Sequence, residues 1–328
     1  MKIGRILYFC VILLAGLLLC GCGRSYELAG SFSTIDYLPA ACSNVQSSLY
    51  STDPRLRANA VEVAAFSQRT EFLRRIEELT KDSYVPVRFA AVLACGQMGH
   101  ASSKPVVHVA LGDSDKNVQI AAAYSMFKLG NDKYFDRIKE AVRSQDMTLR
   151  ANAVVLLGSS KKKDVLELLY WAKDDQQSDD KVRYQAAEGI AKLGDETIFP
   201  KLWTMVISAY PDVRVMGLSS MGALGTRKAQ DVLLTKLDDE VVEVRLVAAE
   251  QLGLLKDSTG VPEVRGVFEQ NLTLNMDQES RSRVLILTAM AIGNIKDNQL
   301  KGYLPALLED KNPFVKIAAS KAIFASLK

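Results

Sequence analysis

The sequence predicts an all-α protein, an α-solenoid of about nine helix pairs with a repeat of roughly 31 residues. Three observations carry this reading. A marker slot, usually Arg and usually preceded by an aliphatic residue, recurs at Arg57, Arg88, Gln119, Arg150, Arg183, Arg214, Arg245, Ser282 and Lys316, in steps of 31, 31, 31, 33, 31, 31, 37 and 34 residues. Three positions after the marker the side chain is small, from Ala60 and Ala91 through Gly217 to Ala319, so that neighbouring helices can approach closely. Aliphatic residues then stand nineteen and twenty-two or twenty-three positions past the marker, as in Ile76 with Leu79, Ile138 with Val142, Leu202 with Val206 and Leu233 with Leu237, which gives each second helix one apolar stripe. A period held from about residue 50 to the C-terminus describes stacked supersecondary units, and it directs the search for function to a surface.

The chain opens differently. Lys2 and Arg5 precede an uncharged apolar run, Ile6 to Leu19, which is the layout of a secretory signal, and residues 1–21 are assigned to it. The string Leu19-Cys20-Gly21-Cys22 resembles a bacterial lipobox, with small Gly21 at the cleavage position and Cys22 as the lipid-modified, palmitate-bearing residue of the mature chain. Cys20 fits less well because it would put Leu19 at the cleavage position. The other reading is an uncleaved anchor, since the uncharged stretch from Ile6 to Gly23 approaches the length of a membrane span. Both readings export the repeats and tether them to a membrane. In the lipoprotein reading Gly23, rather than Asp, follows the modified Cys; by resemblance to lipoprotein sorting rules this points to an outer membrane, facing the periplasm.

Residues 22–34, small and polar after the lipidated Cys, read as a tether. Residues 35–50 read as a lone second-type helix capping the stack, because Leu49 precedes Arg57 by eight residues just as Leu111, Leu237 and Leu308 precede their markers. Residues 51–328 are the repeats. Asp53, Asp115, Asp146, Asp179 and Asn312 stand four residues before their markers as N-caps, and Pro54, Pro211 and Pro313 follow at a position that needs no amide hydrogen. Glycines eight or eleven residues after the marker, among them Gly96, Gly99, Gly158 and Gly194, match left-handed helix stops. The eighth copy has Ser282 in the Arg slot and the longest step before it.

Asp53-Pro-Arg-Leu-Arg57, Tyr210-Pro-Asp-Val-Arg214 and Asn312-Pro-Phe-Val-Lys316, together with the run from Val182 to Gly194, resemble HEAT repeats of the short, phycobilisome-lyase-like class. The resemblance implies that the marker arginines reach an Asp of the adjacent turn and lock the stack. It also implies a concave surface lined by the second helices, which an open array of this length would stretch to roughly 70 Å. It does not transfer an activity. Bilin attachment works on cytoplasmic-side antenna proteins and conflicts with an exported anchor. The iron site of the HEAT-repeat deoxyhypusine hydroxylases needs paired His-Glu motifs, and neither His100 nor His108 is followed by Glu.

Chemistry is sparse elsewhere. Phosphate loops, nucleophile elbows and paired Cys-x-x-Cys motifs do not occur, so no catalytic residue, cofactor or metal is assigned. Removing residues 1–21, which hold two basic and no acidic residues, leaves 39 Lys plus Arg against 38 Asp plus Glu, a balance that offers no case for nucleic acid. Lys161-Lys162-Lys163 reads as a solvated turn, Asp174-Asp175 and Asp179-Asp180 as caps, and Cys95 as a small buried hydrophobe. The expectation is therefore a membrane-tethered, non-enzymatic, protein-binding scaffold of the bacterial envelope, the alternative being an accessory subunit of an envelope enzyme or cell-wall assembly complex. Candidate contact residues occupy offsets twenty and twenty-one on the second helices. They are His108, Lys139, Tyr170, Trp171 and Trp203, with the aromatics in the middle repeats.

Overall fold

The computed structural model describes residues 33–327; the signal segment, Cys22 and all but the end of the tether lie outside the described residues. Helices joined by short turns make up the described chain, with no strand among the described residues, and the protein is an all-α solenoid. In each repeat a long first helix begins about one turn before the marker and a shorter second helix runs back. The first helices are Pro54–Ser67, Val85–Met98, Lys116–Lys128, Met147–Gly158, Asp180–Lys192, Pro211–Leu224, Val242–Leu254, Gln278–Ile295 and Pro313–Ser326. The second helices include Leu73–Leu79, Lys104–Ala110, Asp136–Ala141, Leu166–Asp174, Phe199–Val206, Arg227–Thr235 and Val261–Glu269.

Local chemistry starts these helices as the sequence indicates. The carboxylates of Asp53, Asp115, Asp146 and Asp179 accept from backbone amides of the first turn, and the Asn312 side-chain oxygen accepts from Phe314 N. The glycines divide into two kinds. Those eleven residues after the marker, such as Gly99 at φ 71° and Gly130 at φ 86°, are left-handed helix ends, except Gly293, where a Cβ would stand 2.8 Å from the Ala322 Cα. Those eight residues after the marker are contact points instead. A Cβ on Gly96 would stand 2.6 Å from the Ser125 Cα, and one on Gly158 would collide with the Gly189 Cα, so bare backbones of successive first helices meet there.

That close approach bends the stack. Each first helix packs on the next all the way round, and the last, Pro313–Ser326, packs on the first, Pro54–Ser67. Second helices, with Ile, Leu and aromatic residues in their interfaces, touch one another little. A unit thin on one side and thick on the other is a wedge, and nine wedges turning about 40° each close a circle. The architecture is thus a closed ring with the first helices inside and the second helices outside. This corrects two expectations. The array is not an open, elongated solenoid, and its concave side is lined by the first helices rather than the second.

The N-terminal helix, Thr34–Ser48, completes the circle. It takes the second-helix place in the ninth repeat, packing along Pro313–Ser326 and touching Leu304–Leu308, while Asn44 Nδ2 donates to the Leu308 carbonyl at 3.0 Å. Ala41, Val45 and Leu49 are fully buried by that contact. It is a second-type helix, but it closes a seam and leaves no end to cap.

A ladder of marker side chains runs round the rim where the inner helices begin, here the entry rim. Arg57 pairs with Asp82 at 2.8 Å, Arg88 with Asp113 at 2.9 Å and Arg214 with Asp239 at 2.9 Å, each Asp lying in the turn before the next inner helix. The same guanidinium groups donate to carbonyls six residues upstream, at Ser51, Asp82 and Ser208. Gln119, lacking a charge, keeps only the carbonyl bond, to Asp113 O at 2.7 Å. In the eighth repeat the role belongs to Arg281 and not to Ser282. Asp277 caps the helix four residues before Arg281, whose guanidinium meets Asp310 at 2.7 Å. The longer loop ahead of this helix shifts the register by one.

Candidate functional site

All five sequence-derived contact residues stand on second helices, which places them on the outer wall and not in a groove. Most of them bridge to a neighbouring repeat. The His108 ring is exposed, edge-on to Tyr134 of the next repeat at 6.2 Å, with Nε2 3.4 Å from the phenol oxygen. Lys139 reaches Asp136 at 3.3 Å and Asp164 of the next repeat at 3.9 Å, above the Phe135 ring. Tyr170 shares a hydrogen bond of 2.6 Å with the Thr197 hydroxyl of the following repeat; burial raises its phenol pKa, and the Thr197 contact opposes that rise.

Trp171 is held differently. Guanidinium carbons of Arg143 and Arg150 stand 5.6 and 5.3 Å from its ring, in cation–π range, and 37 % of the residue remains open to solvent. Arg150 is itself buried and anchored on Asp175, Ser178 and the Ser144 carbonyl, so it fixes the indole. Trp203, on the next outer helix, is 40 % exposed, and Ile207 and Tyr210 follow it toward the entry rim, both well exposed. Between the outer helices of the first two repeats a cleft of about 350 Å³ is lined by Pro105, Val106, Val109, Lys81 and the Arg88–Asp113 pair.

The inner face holds a second group of residues that the linear reading passed over. Glu62, five residues after Arg57, is open to solvent yet hemmed in by protein; burial raises its carboxyl pKa while the Lys321 charge pulls the other way. Burial likewise raises Glu250 against Lys321 and a 3.0 Å hydrogen bond from Asn294. The Lys321 ammonium lies over the Phe66 ring at 5.4 Å. These residues come from the first, seventh, eighth and ninth inner helices and meet at the seam. A charge five residues past the marker in an Ala-rich helix was the available signal. Asn117 and Asn152 add a polar contact of 2.9 Å across the third and fourth inner helices.

Reactive chemistry is muted. Burial pushes the Cys95 thiol up to about 12, a small apolar filler rather than a nucleophile. Burial acts to raise Asp82, Asp113 and Asp239, but their Arg partners and backbone amides overrule it and hold all three below the usual carboxylate range. Among the described residues no group of His, Cys, Asp and Glu could hold a metal ion, and no helix is long and apolar enough to cross a membrane.

Comparison with known proteins reaches the same repeat unit. The family model for HEAT repeats matches residues 43–126 and 72–146. Residues 43–146 thus match the HEAT-repeat model. Solved structures similar to it include the complex of CpcE and CpcF of phycocyanin lyase from Nostoc sp., at 16% identity over 75% of this chain and 97% of that one with a TM-score of 0.47. Human deoxyhypusine hydroxylase in complex with glycerol aligns at 16% identity over 80% of this chain and 97% of that one, with a TM-score of 0.38. Kap121p aligns at 14% identity over 86% of this chain and 37% of its own, with a TM-score of 0.33. No curated protein matches the sequence.

Proposed function

We propose that this HEAT-repeat ring is a non-enzymatic scaffold that captures a protein partner on its outer wall, tethered in a bacterial envelope through lipid on Cys22. HEAT repeats fit protein binding, and the observation that carries the reading here is Trp171. An indole held against two guanidinium groups yet left more than a third exposed has already lost part of the freedom that binding would otherwise cost, which is the property of an interface anchor. The ladder carboxylates support the non-enzymatic part, since each is committed to an arginine of the preceding repeat. The tether is supported by the basic, apolar and Leu19-Cys20-Gly21-Cys22 segments of the sequence.

Capture from solubilised membranes tests the reading. Trp171→Ala is expected to abolish retention of a stoichiometric partner while costing only about 1 kcal/mol of stability, the scale of a partly exposed cation–π contact. Undiminished capture by this variant removes the proposed anchor. In parallel, Cys22→Ser is expected to abolish lipid labelling and leave unprocessed precursor; normal labelling and processing would refute the tether.

A further inference from the structure

The N-terminal helix is longer than the outer helices beside it. It spans 15 residues, whereas Leu73–Leu79 and Lys104–Ala110 have 7 each, extended by a three-residue 3-10 turn. Ser48, Leu79 and Ala110 end their helices in the same register before the next inner helix, so the surplus lies at the N-terminal end. About five extra residues at 1.5 Å each carry Thr34 some 7 Å past the rim where inner helices finish, the exit rim. Ile35 in that projection is 71 % exposed. Leu327, closing the helix it packs against, is exposed on the same rim.

Cations share this rim. Lys256 and Lys296 are exposed and occupy the left-handed positions, at φ 64° and 60°, that end the seventh and eighth inner helices. A lysine at a helix C-terminus has a local explanation in the helix dipole. Lys104 does not, because it sits in the opening turn of an outer helix, where a cation works against the dipole; Lys228, placed likewise, lies over the Phe199 ring at 4.1 Å. Some acids of this rim, Asp195, Asp257 and Asp297, accept from their own turn amides, while Asp36, Glu71, Asp132, Asp164 and Glu196 stay exposed. The entry rim exposes more acids, among them Asp146, Asp174, Asp179, Asp180, Asp212, Asp238 and Glu240.

We propose that the exit rim rests on the surface of an anionic bilayer, with Ile35 and Leu327 entering the headgroup region beside the point where the anchor segment joins the ring. The orientation builds on the tether reading above, and the rim chemistry gives it independent footing. Eleven residues separate Cys22 from Thr34, and they reach at most about 40 Å, so a lipidated Cys22 keeps this rim within contact range of the membrane. Basic charge with a few protruding apolar side chains is the composition that binds anionic interfaces.

Vesicle flotation of an unlipidated chain beginning at residue 22, with Cys22→Ser, tests the rim without the anchor; the ring closes within residues 33–327, so no described core contact is lost. The chain is expected to float with equimolar phosphatidylglycerol and phosphatidylcholine and not with phosphatidylcholine alone, and to be released by salt. Lys256→Glu with Lys296→Glu should lower partitioning about tenfold or more. Ile35→Asp with Leu327→Asp should lower it too, whereas Lys116→Glu with Lys181→Glu on the entry rim should change it less than about twofold. Failure to float at low salt, equal binding to neutral vesicles, or equal losses from the two rims would each overturn the proposal. Lipid labelling of Cys22 is read separately in the full chain, so a failed tether and a failed rim give different results.

Discussion

Gly158→Ala places one methyl group where two inner helices touch. The new Cβ collides with the Gly189 Cα, and that neighbour is backbone, which cannot rotate away. Helix propensity favours the change by up to about 1 kcal/mol, and overpacking opposes it by about 1–3 kcal/mol. Ring closure decides the balance. In an open array the fourth and fifth repeats would spread apart and the displacement would dissipate at free ends, but here it must be taken up by the other interfaces, including the seam. The upper part of the range therefore applies, for a net loss of about 2 kcal/mol. Urea unfolding followed by circular dichroism measures it, and Gly189→Ala is the internal comparison, since its Cβ would meet the Gly158 Cα at a less severe 3.2 Å. The expected order is Gly158→Ala least stable, Gly189→Ala intermediate and the parent most stable. A neutral or stabilising Gly158→Ala would refute the argument that backbone contact at this glycine sets the curvature.

Two further outcomes follow from the same structure. Asp82, Asp113 and Asp239 have pKa values depressed in the folded ring, so their contribution is present above the ordinary aspartate value and is lost as pH falls through the folded one. The midpoint of urea unfolding should drop below about pH 4, and Arg88→Leu, which leaves Asp113 half-buried without its partner, should cost about 3 kcal/mol at pH 7 but much less at pH 3. Lys161→Gly and Lys256→Gly replace side chains held at φ 63° and 64° and should each raise stability by up to about 1 kcal/mol, read as a higher melting temperature.

The repeat and its capping were legible because they depend on neighbours in sequence. Asp four residues before the marker, Pro one residue later and the aliphatic pairs of the second helices are local instructions, and the structure obeys them. Curvature depends on something else, the difference in thickness between two layers, which amounts to a fraction of a helix width per repeat and becomes decisive only when nine repeats add up. The glycines at offset eight held that information, but as residues they are indistinguishable from helix stops. For the same reason the exposed character of Trp171 could be read from its offset while the side of the ring it faces could not. Glu62, Glu250 and Lys321 are far apart in sequence, and only closure makes them neighbours.

Closure by the N-terminal helix is open to direct measurement. Asn44 and the Leu308–Glu309 turn are 264 residues apart in the chain and in hydrogen-bond contact in the ring. In the chain beginning at residue 22, with Cys22, Cys42 and Cys95 replaced by Ser, the pair Asn44→Cys and Glu309→Cys should be joined within one molecule by a short thiol-specific cross-linker, giving a single linked peptide pair in the mass spectrum of the monomer. Cysteines that remain separately modified, or that link only between molecules, would contradict the ring and leave an open solenoid in its place.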